Sequence, residues 1–555
     1  MRVKSFGLVA AALALGAANC SDDNSTSSTS AAPTSWSFGV MSDTQWTLAT
    51  DSAGKNPNGV AVSIINQINS QFIAKGVKFV IQVGDLTENG NDADIATRAQ
   101  AAQALYDAGI GFFPMRGNHE TYAPSPNGYG ITEFRSVFPQ TQGSSRTFCA
   151  TNFSSPTTVS PDLIGMSYSF DYGSTNSDAR FVIIDDWAAD SRRVDAAGYP
   201  YGYSVGDQQA WISGRLAGRS PAHAFVFSHQ PLIAENHQDS LFVGYTNANP
   251  DMQNAFMASL TNNGVKYYIC GHDHMHQRSV ITSPDGLSRV QEIIGASDSS
   301  KFYTPKSASD PNWFGQKSRE TSIRQELYSP GFYIYTVSGP RVIVDYYSEA
   351  TGKFSSDALY PGTTGSTLGV TPTLNFVKKE TYGYSLNGKE FLVAQGGSYT
   401  AVQDSYASTS ARILSGVNHS TVTDSIGRPV VAAVDTGWAA RTTTIMSDVL
   451  SLWGMESKLG SDQTDTYTLS LTYDPSIVSP HQGGSFGLVV KDGDRWTLAA
   501  TKNATGSVAP RFVAGPWSDS YDLGTYGVDT STNTVWAVIN KGGDFAAAVD
   551  GSAVR

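Results

Sequence analysis

The stretch Val265-Lys266-Tyr267-Tyr268-Ile269-Cys270-Gly271-His272-Asp273-His274 decides the fold. Its first part, Val265 to Cys270, reads as a buried strand, and it ends on two histidines spaced two apart. Side chains along an extended segment alternate faces, so positions 272 and 274 are expected to share one. Two imidazoles on one face suit a metal cluster. Four upstream pieces are built the same way: Asp43-Thr44-Gln45, Gly84-Asp85, Gly117-Asn118-His119-Glu120 and Ser228-His229. Each directly follows an apolar, strand-like run.

Working outward, Trp36 to Met41 reads as the strand that delivers Asp43. Val60 to Ala74 has helical spacing, with Val60, Ile64, Ile65, Ile68 and Phe72 on one side. Lys78 to Val83 is a strand delivering Asp85, Ala93 to Ala108 a second helix, and Ile110 to Met115 a strand delivering Asn118 and His119. Alternation of strand and helix implies right-handed crossovers and parallel pairing. Sites in such sheets form beyond the carboxyl ends of the strands, where each candidate ligand falls. The same grammar resumes with strands at 166–172, 180–185 and 222–227, helices at 207–216 and 251–262, and paired strands at 279–282 and 290–294. Gly331 to Val337 and Arg341 to Tyr347 read as a hairpin. Residues 121–163, 230–250 and 298–328 read as long loops, which in a compact domain are usually functional or mobile.

The ends of the chain read differently. Arg2 and Lys4 precede the apolar run Phe6 to Ala18, and Cys20 follows. This is a targeting segment too short for a confident membrane span. It resembles a bacterial lipoprotein signal with Cys20 as the lipidated residue, although Asn19 stands where a small residue is usual. Residues 1–20 are therefore expected to be a signal peptide, and residues 21–35 a Ser/Thr-rich tether. An extracytoplasmic protein follows, secreted, periplasmic or anchored to the envelope through Cys20. A catalytic unit is expected over 36–350, a linker over 351–371, and an all-β, sandwich-like domain over 372–555, whose short alternating runs are parted by Gly, Asp and Asn. A cut near residue 360 would then spare the catalytic unit. The C-terminal part has only the isolated His419 and His481, and its Trp496, Trp517 and Trp536 are expected in a core.

Composition narrows the classes. With 40% hydrophobic and 15% charged residues in 555, the chain can bury large cores. Its net charge of −12 grows two units more negative once Arg2 and Lys4 leave with the leader. An acidic chain without a long Lys/Arg cluster would repel a nucleic-acid backbone, so no nucleic-acid partner is expected. After Cys20 the cysteines are Cys149 and Cys270. Sequence alone does not decide a bridge between them; a buried thiol is the expectation for Cys270.

Two metals joined by one carboxylate can bind phosphate oxygens, lower the pKa of a bound water and steady both entering and leaving oxygens. Asp85 is the natural bridge. Asp43, Gln45 and His274 can complete one metal, and Asn118, His229 and His272 the other. Mixed N and O donors suit Mn, Fe or Zn, divalent or trivalent, better than Ca. Two dications against two aspartates and a hydroxide leave one positive charge, the sign that attracts phosphate. The ordered set Asp-x-Gln, Gly-Asp, Gly-Asn-His-Glu, Ser-His and Gly-His-Asp-His resembles the calcineurin-like metallophosphoesterase family over residues 36–350. That resemblance implies an α/β fold, a two-sheet sandwich flanked by helices with a dinuclear site at the sheet ends. It also implies that His119 contacts the phosphate or protonates the leaving group, and that a metal-bound hydroxide attacks phosphorus in a phosphomonoester or phosphodiester.

There are departures from the family pattern. Gln45 replaces a commoner His, a weaker and harder donor that favours Mn or Fe over Zn. Glu120 replaces the usual Asp after Asn-His and is expected to orient His119. The related purple acid phosphatases carry a Tyr three residues after the bridging Asp; here that place is Glu88, so no iron–tyrosinate is expected. His276 is expected to face solvent or stand behind the ligands, and Trp46 and Tyr122 to flank the substrate pocket or pack. A rival reading is a metal-bearing, slow scaffold that presents its C-terminal β unit to a partner, motivated by Gln45 and by a large region lacking chemistry.

Overall fold

The strand that leads to Asp43, β1 (Trp36–Met41), pairs in parallel with β2 (Phe79–Gln82), and β2 pairs in parallel with β3 (Gly111–Pro114). Helix α1 (Val62–Lys75) makes the first crossover because its apolar residues fall on one stripe: Ile64, Ile65, Ile68 and Phe72 are buried. Gly76, in the left-handed conformation, ends it and turns the chain back into β2. The second expected helix divides at Ala102 into α2 (Asp92–Ala101), capped by the Asn91 side chain, and α3 (Gln103–Asp107).

The computed structural model describes residues 35–553 except 48–50, 52–53, 122–130, 175–176, 188–201, 238–239, 243–248, 308–316, 351–353, 356–365, 368–371, 387, 395–408, 417–424, 426–430, 439–443, 453–462, 478–483 and 505–508. The expected signal peptide, Cys20, nearly all of the tether, Tyr122, His419 and His481 lie outside the described residues.

The chain continues through α4 (Ile131–Val137), β4 (Thr151–Ser154), β5 (Tyr168–Ser174), β6 (Ser177–Ile184), α5 (Val205–Ala217), β7 (His223–Ser228), α6 (Pro250–Asn262), β8 (Tyr267–Cys270), β9 (His276–Thr282), β10 (Arg289–Ile294) and β11 (Glu320–Glu326). The hairpin is β12 (Gly331–Ser338) and β13 (Arg341–Glu349). Two-residue strands β14 (Phe354–Ser355) and β15 (Ser366–Thr367) pair within the expected linker, and β16 (Phe376–Ser385) follows it. These make a six-stranded sheet, β16-β13-β12-β1-β2-β3, and an eight-stranded sheet, β11-β9-β10-β8-β7-β6-β5-β4. The parallel run β6-β7-β8-β10 repeats the logic of β1-β2-β3. The two sheets share a core of Phe38, Phe79, Phe181, Phe225 and Tyr335. Helices α1 to α3 cover the outer face of one sheet, and α5 and α6 that of the other. This is the expected α/β sandwich flanked by helices.

Some elements fall where the sequence reads as loop. Helix α4 and strand β4 lie inside 121–163, and β11 lies inside the polar stretch 298–328, antiparallel to β9. Strand β16 adds an edge to the first sheet and buries Glu380, Tyr382 and Tyr384, although it lies beyond the expected linker. Cys270 is a free, buried thiol, so no bridge joins it to Cys149.

Beyond β16 the described residues are almost wholly strands: β17 (Lys389–Ala394), β18 (Ala411–Ser415), β19 (Val431–Trp438), β20 (Val449–Leu452), β21 (Gln463–Thr472), β22 (Phe486–Asp492), β23 (Arg495–Leu498), β24 (Arg511–Ala514), β25 (Thr525–Asp529), β26 (Thr534–Lys541), β27 (Gly543–Val549) and β28 (Ser552–Ala553). They form a seven-stranded and a five-stranded sheet around one apolar core, with Trp496 and Trp536 buried. Among the described residues no helix is long and apolar enough to cross a membrane.

A buried ion pair joins this sandwich to the hairpin. The Arg341 guanidinium, at the start of β13, donates to both oxygens of Asp544 at 2.7 and 2.6 Å and to Ser451 Oγ at 2.9 Å. Removing one partner of such a pair leaves the other charge buried without compensation. Arg341→Met is expected to lower unfolding stability by about 3–5 kcal/mol, read by urea denaturation; a loss below about 1 kcal/mol, typical of exposed pairs, would show the contact to be solvated.

Candidate metal centre

Each candidate ligand sits just past a strand end at one rim of the two sheets. Asp43 follows β1, Asp85 follows β2, Asn118 and His119 follow β3, His229 follows β7, and His272 and His274 follow β8. The backbone there is unusual. Asp43, Asp85, His272 and His274 all have positive φ, at 48°, 45°, 75° and 52°. Left-handed conformations cost non-glycine residues about 1–3 kcal/mol each and persist where the surroundings over-determine them. The two histidines therefore meet the site through a left-handed turn after β8, not through the strand alternation expected from their spacing.

Two glycines make room. Gly84 has φ 78°, and a Cβ on it would run into the His229 ring; a Cβ on Gly117 would strike the Asp85 carboxylate. Any side chain at either place would push a candidate ligand out of position.

The polar groups converge in two overlapping sets. Asp85, His229 and His272 place donor atoms within 4.8 Å of one another, and so do Asp43, Asp85 and His274. All five are buried, and Asp85 is common to both sets. His229 Nε2 lies 3.3 Å from Asp85 Oδ1, 3.2 Å from Asn118 Oδ1 and 3.2 Å from His272 Nδ1. His274 Nε2 lies 3.4 Å from Asp43 Oδ1. The Gln45 amide nitrogen is 3.0 Å from His274 Nε2 and 3.1 Å from Asp85 Oδ2. All seven expected ligands are thus brought to one place.

Two ring orientations are fixed from behind. His229 Nδ1 donates to the Val83 carbonyl at 2.9 Å, and His274 Nδ1 to the Lys301 carbonyl at 2.8 Å. Both bonds leave Nε2 facing the cluster, the arrangement by which outer partners set a ligand's tautomer. Backbone amides anchor the carboxylates: His272 N–H donates to Asp43 Oδ1 at 3.0 Å and His119 N–H to Asp85 Oδ1 at 3.1 Å.

The charges in this set call for a cation. Burial, then the charge of Asp85, raise the carboxyl of Asp43, against the opposing pull of His229. Burial would raise Asp85 as well, but His229 and His119 hold it well below the carboxylate range. Burial disfavours the His229 imidazolium, yet Asp85 raises it above an ordinary histidine. His274 is pushed well down by burial and by Lys301. Gln45 Oε1 is buried and has no hydrogen-bond partner among the described residues. Two packed carboxylates, imidazoles with inward lone pairs and an orphaned amide oxygen fit divalent or trivalent cations such as Mn, Fe or Zn. Among the described residues, grouped donors of this kind occur only here.

The neighbours differ in part from expectation. Glu120 does not orient His119. Its Oε1 accepts from Thr87 N–H at 3.0 Å and its Oε2 from Gly117 N–H at 2.8 Å, so it braces the Asn118 turn against the Asp85 loop. Burial, then Asp85, raise its carboxyl. The His119 ring is held instead by the Glu88 carbonyl, 2.6 Å from Nδ1, with the Glu88 carboxylate at 3.5 Å. His276 does not face solvent. It is buried, 2.9 Å from Tyr333 Oη and 3.2 Å from Glu380, and stacks on Tyr346. As a strand residue it points between the sheets. Trp46 packs with α1.

Two residues near the site carry no motif. His237 packs against His272 with ring centroids 4.0 Å apart and ring planes tilted by 31°, and its Nδ1 is 2.7 Å from Asp273 Oδ1. Lys301 reaches the site from the turn after β10. Both lie in stretches without a strand-to-ligand pattern, and only their place inside the long loops 230–250 and 298–328 pointed to them.

The Calcineurin-like phosphoesterase family model matches residues 37–276. No curated protein matches the chain. Among solved structures, GAP50, the anchor in the inner membrane complex of Plasmodium, is 17% identical, with 57% of this chain and 84% of that one covered at a TM-score of 0.35. A dimetal phosphatase from Danio rerio is 15% identical, with 56% and 95% covered at a TM-score of 0.34. A purple acid phosphatase, PPD1, from yellow lupin (Lupinus luteus) seeds is 13% identical, with 58% and 53% covered at a TM-score of 0.35.

Metal ligands bind deprotonated, so loading must displace protons. The carboxyl of Asp43, raised to about 7, must give up its proton. Metal affinity is therefore expected to weaken as pH falls through about 7, and to go on rising above it because His229, raised to about 10, must also lose its proton, with proton release visible by calorimetry in buffers of different ionisation enthalpy. Affinity unchanged from pH 8 to pH 5 would contradict this.

Proposed function

We propose that the protein is a metal-dependent hydrolase of phosphoric esters, supported by the match of residues 37–276 to the Calcineurin-like phosphoesterase family model, and that its residues act as follows. Asp85 joins two metal ions. Asp43, Gln45 and His274 hold one of them, and Asn118, His229 and His272 the other. The observation that carries this assignment is the pair of buried donor sets sharing Asp85. When bound, the metals supply Lewis acidity to phosphoryl oxygens and lower the pKa of a water, the nucleophile of this reaction.

The protein's own part is positioning and proton handling. Val83 and Lys301 carbonyls keep the lone pairs of His229 and His274 turned inward. His119 serves the leaving group: with Nδ1 bonded to the Glu88 carbonyl, Nε2 faces the cluster, 3.8 Å from Asp85 Oδ2, and gives its proton to the departing ester oxygen. Phosphomonoesters and phosphodiesters both fit this reaction. The leader features, Arg2, Lys4, the apolar run and Cys20, support an extracytoplasmic protein, with lipid at Cys20 as its link to a membrane. The domain division proposed is a catalytic unit that takes in β16, beyond the stretch expected as a linker, followed by the β sandwich.

Metal-loaded protein is expected to hydrolyse p-nitrophenyl phosphate or its bis-ester. No turnover with Mn, Fe or Zn bound would favour the scaffold reading instead. Asp85→Asn should lose most bound metal and nearly all activity. His119→Ala should keep the metals while turnover falls roughly 10²–10⁴-fold; loss of metal from His119→Ala would show that His119 is a ligand.

A further inference from the structure

The turn after β10 is held with unusual firmness for a loop. Ser297 Oγ donates to the Lys301 carbonyl at 2.7 Å, and Lys301 N–H donates to Ser299 Oγ at 2.9 Å. Ser299 N–H donates to Ser297 Oγ at 3.3 Å, and Thr47 N–H to Ser300 Oγ at 3.1 Å. Serine hydroxyls that close on nearby backbone in this way fix a turn without regular structure. The turn presents Lys301 twice. Its carbonyl holds the His274 ring. The residue is only 4% exposed, and its Nζ lies 3.4 Å from His119 Nε2.

A buried ammonium is costly unless something nearby repays its lost hydration. Here it lies beside the imidazole assigned to the leaving group, and that imidazole is 3.8 Å from the carboxylate shared by both donor sets. His119 Nδ1 is engaged by the Glu88 carbonyl, so Nε2 is the ring atom that faces both the ammonium and the donor sets. A compact, strongly charged group is thus fixed next to the place where a phosphoryl group must sit if the two donor sets bind metal. Lysine binds phosphate as a point charge.

We propose that Lys301 contacts the substrate: its ammonium binds a terminal phosphoryl oxygen and makes the site prefer phosphomonoesters to phosphodiesters. This rests on the dinuclear hydrolase reading above. The metal cluster keeps one positive charge, and Lys301 brings the total to two. A phosphomonoester carries close to two negative charges at neutral pH, because its second ionisation lies near 6. A diester carries one, and its second ester group would set carbon or a neutral oxygen against a desolvated ammonium. A terminal oxygen on Lys301 also leaves the ester oxygen next to His119.

The test uses the full-length, metal-loaded protein and Lys301→Met, Lys301→Gln and Lys301→Arg. Three readouts are taken: metal content by elemental analysis, affinity for inorganic phosphate by calorimetry, and kcat/KM for p-nitrophenyl phosphate against its bis-ester. Lys301→Met and Lys301→Gln should keep the metals and bind inorganic phosphate roughly 10- to 100-fold more weakly, the range for losing one charge-assisted hydrogen bond. The monoester-to-diester ratio of kcat/KM should fall by a similar factor, and Lys301→Arg should recover part of both. Unchanged phosphate affinity and ratio with metals retained would overturn the proposal. So would loss of metal with equal loss on both esters, which would make Lys301 a positioning residue for His274. Should Lys301→Met fail to fold, Lys301→Gln and Lys301→Arg carry the comparison. Wild-type protein that binds metal but turns over neither ester would instead sink the hydrolase reading.

Discussion

Two aspartates, Asp43 and Asp85, are buried against each other at the rim of the sandwich, and the rest of the site answers that repulsion. Without a cation, the set balances itself by protonation: Asp43 is raised toward its neutral form, while Asp85 stays ionised beside a histidine favoured as imidazolium. Cations between these carboxylates would replace the protons and let the inward lone pairs of His229 and His274 find a partner. Placing so many donors in a dry site gives a metal cluster a low-dielectric surround, where charge acts on a phosphate strongly.

The fold stores the means of holding that arrangement. Left-handed residues at Asp43, Asp85, His272 and His274 would be unfavourable in isolation. They are held by amide-to-carboxylate bonds, by the Glu120 brace and by the absence of side chains at Gly84 and Gly117. Below them lies an aromatic core in which Phe38 touches Phe79, Phe181, Phe225 and Tyr335, joining the two sheets. Dense interiors deform little. The rim positions therefore inherit the rigidity of both sheets.

Much of this was legible in the sequence because strand and ligand are adjacent in the chain. An apolar run ending in Asp, Asn or His names both a buried strand and what it delivers, and parallel order puts the delivered residues on one rim. The convergence of His272 and His274 was not legible in detail, since spacing of two suggests extension and not a left-handed turn. Strand β11 was hidden by its polar sequence, Glu320-Thr321-Ser322-Ile323-Arg324-Gln325-Glu326. His276 looked like a surface residue beside Gln277 and Arg278; its pairing with Glu380 depends on β16, a hundred residues away in sequence. His237 and Lys301 come from loops, where no periodicity marks a residue that folds back onto the site.

The central claim is that Asp85 sits between two cations. Anomalous X-ray scattering from metal-loaded crystals, collected on either side of the metal's absorption edge, measures this most directly. The account predicts two peaks flanking the Asp85 carboxylate, one within bonding distance of Asp43 and His274, the other of His229 and His272. A single peak away from Asp85, or none in protein that elemental analysis shows to contain metal, would contradict it.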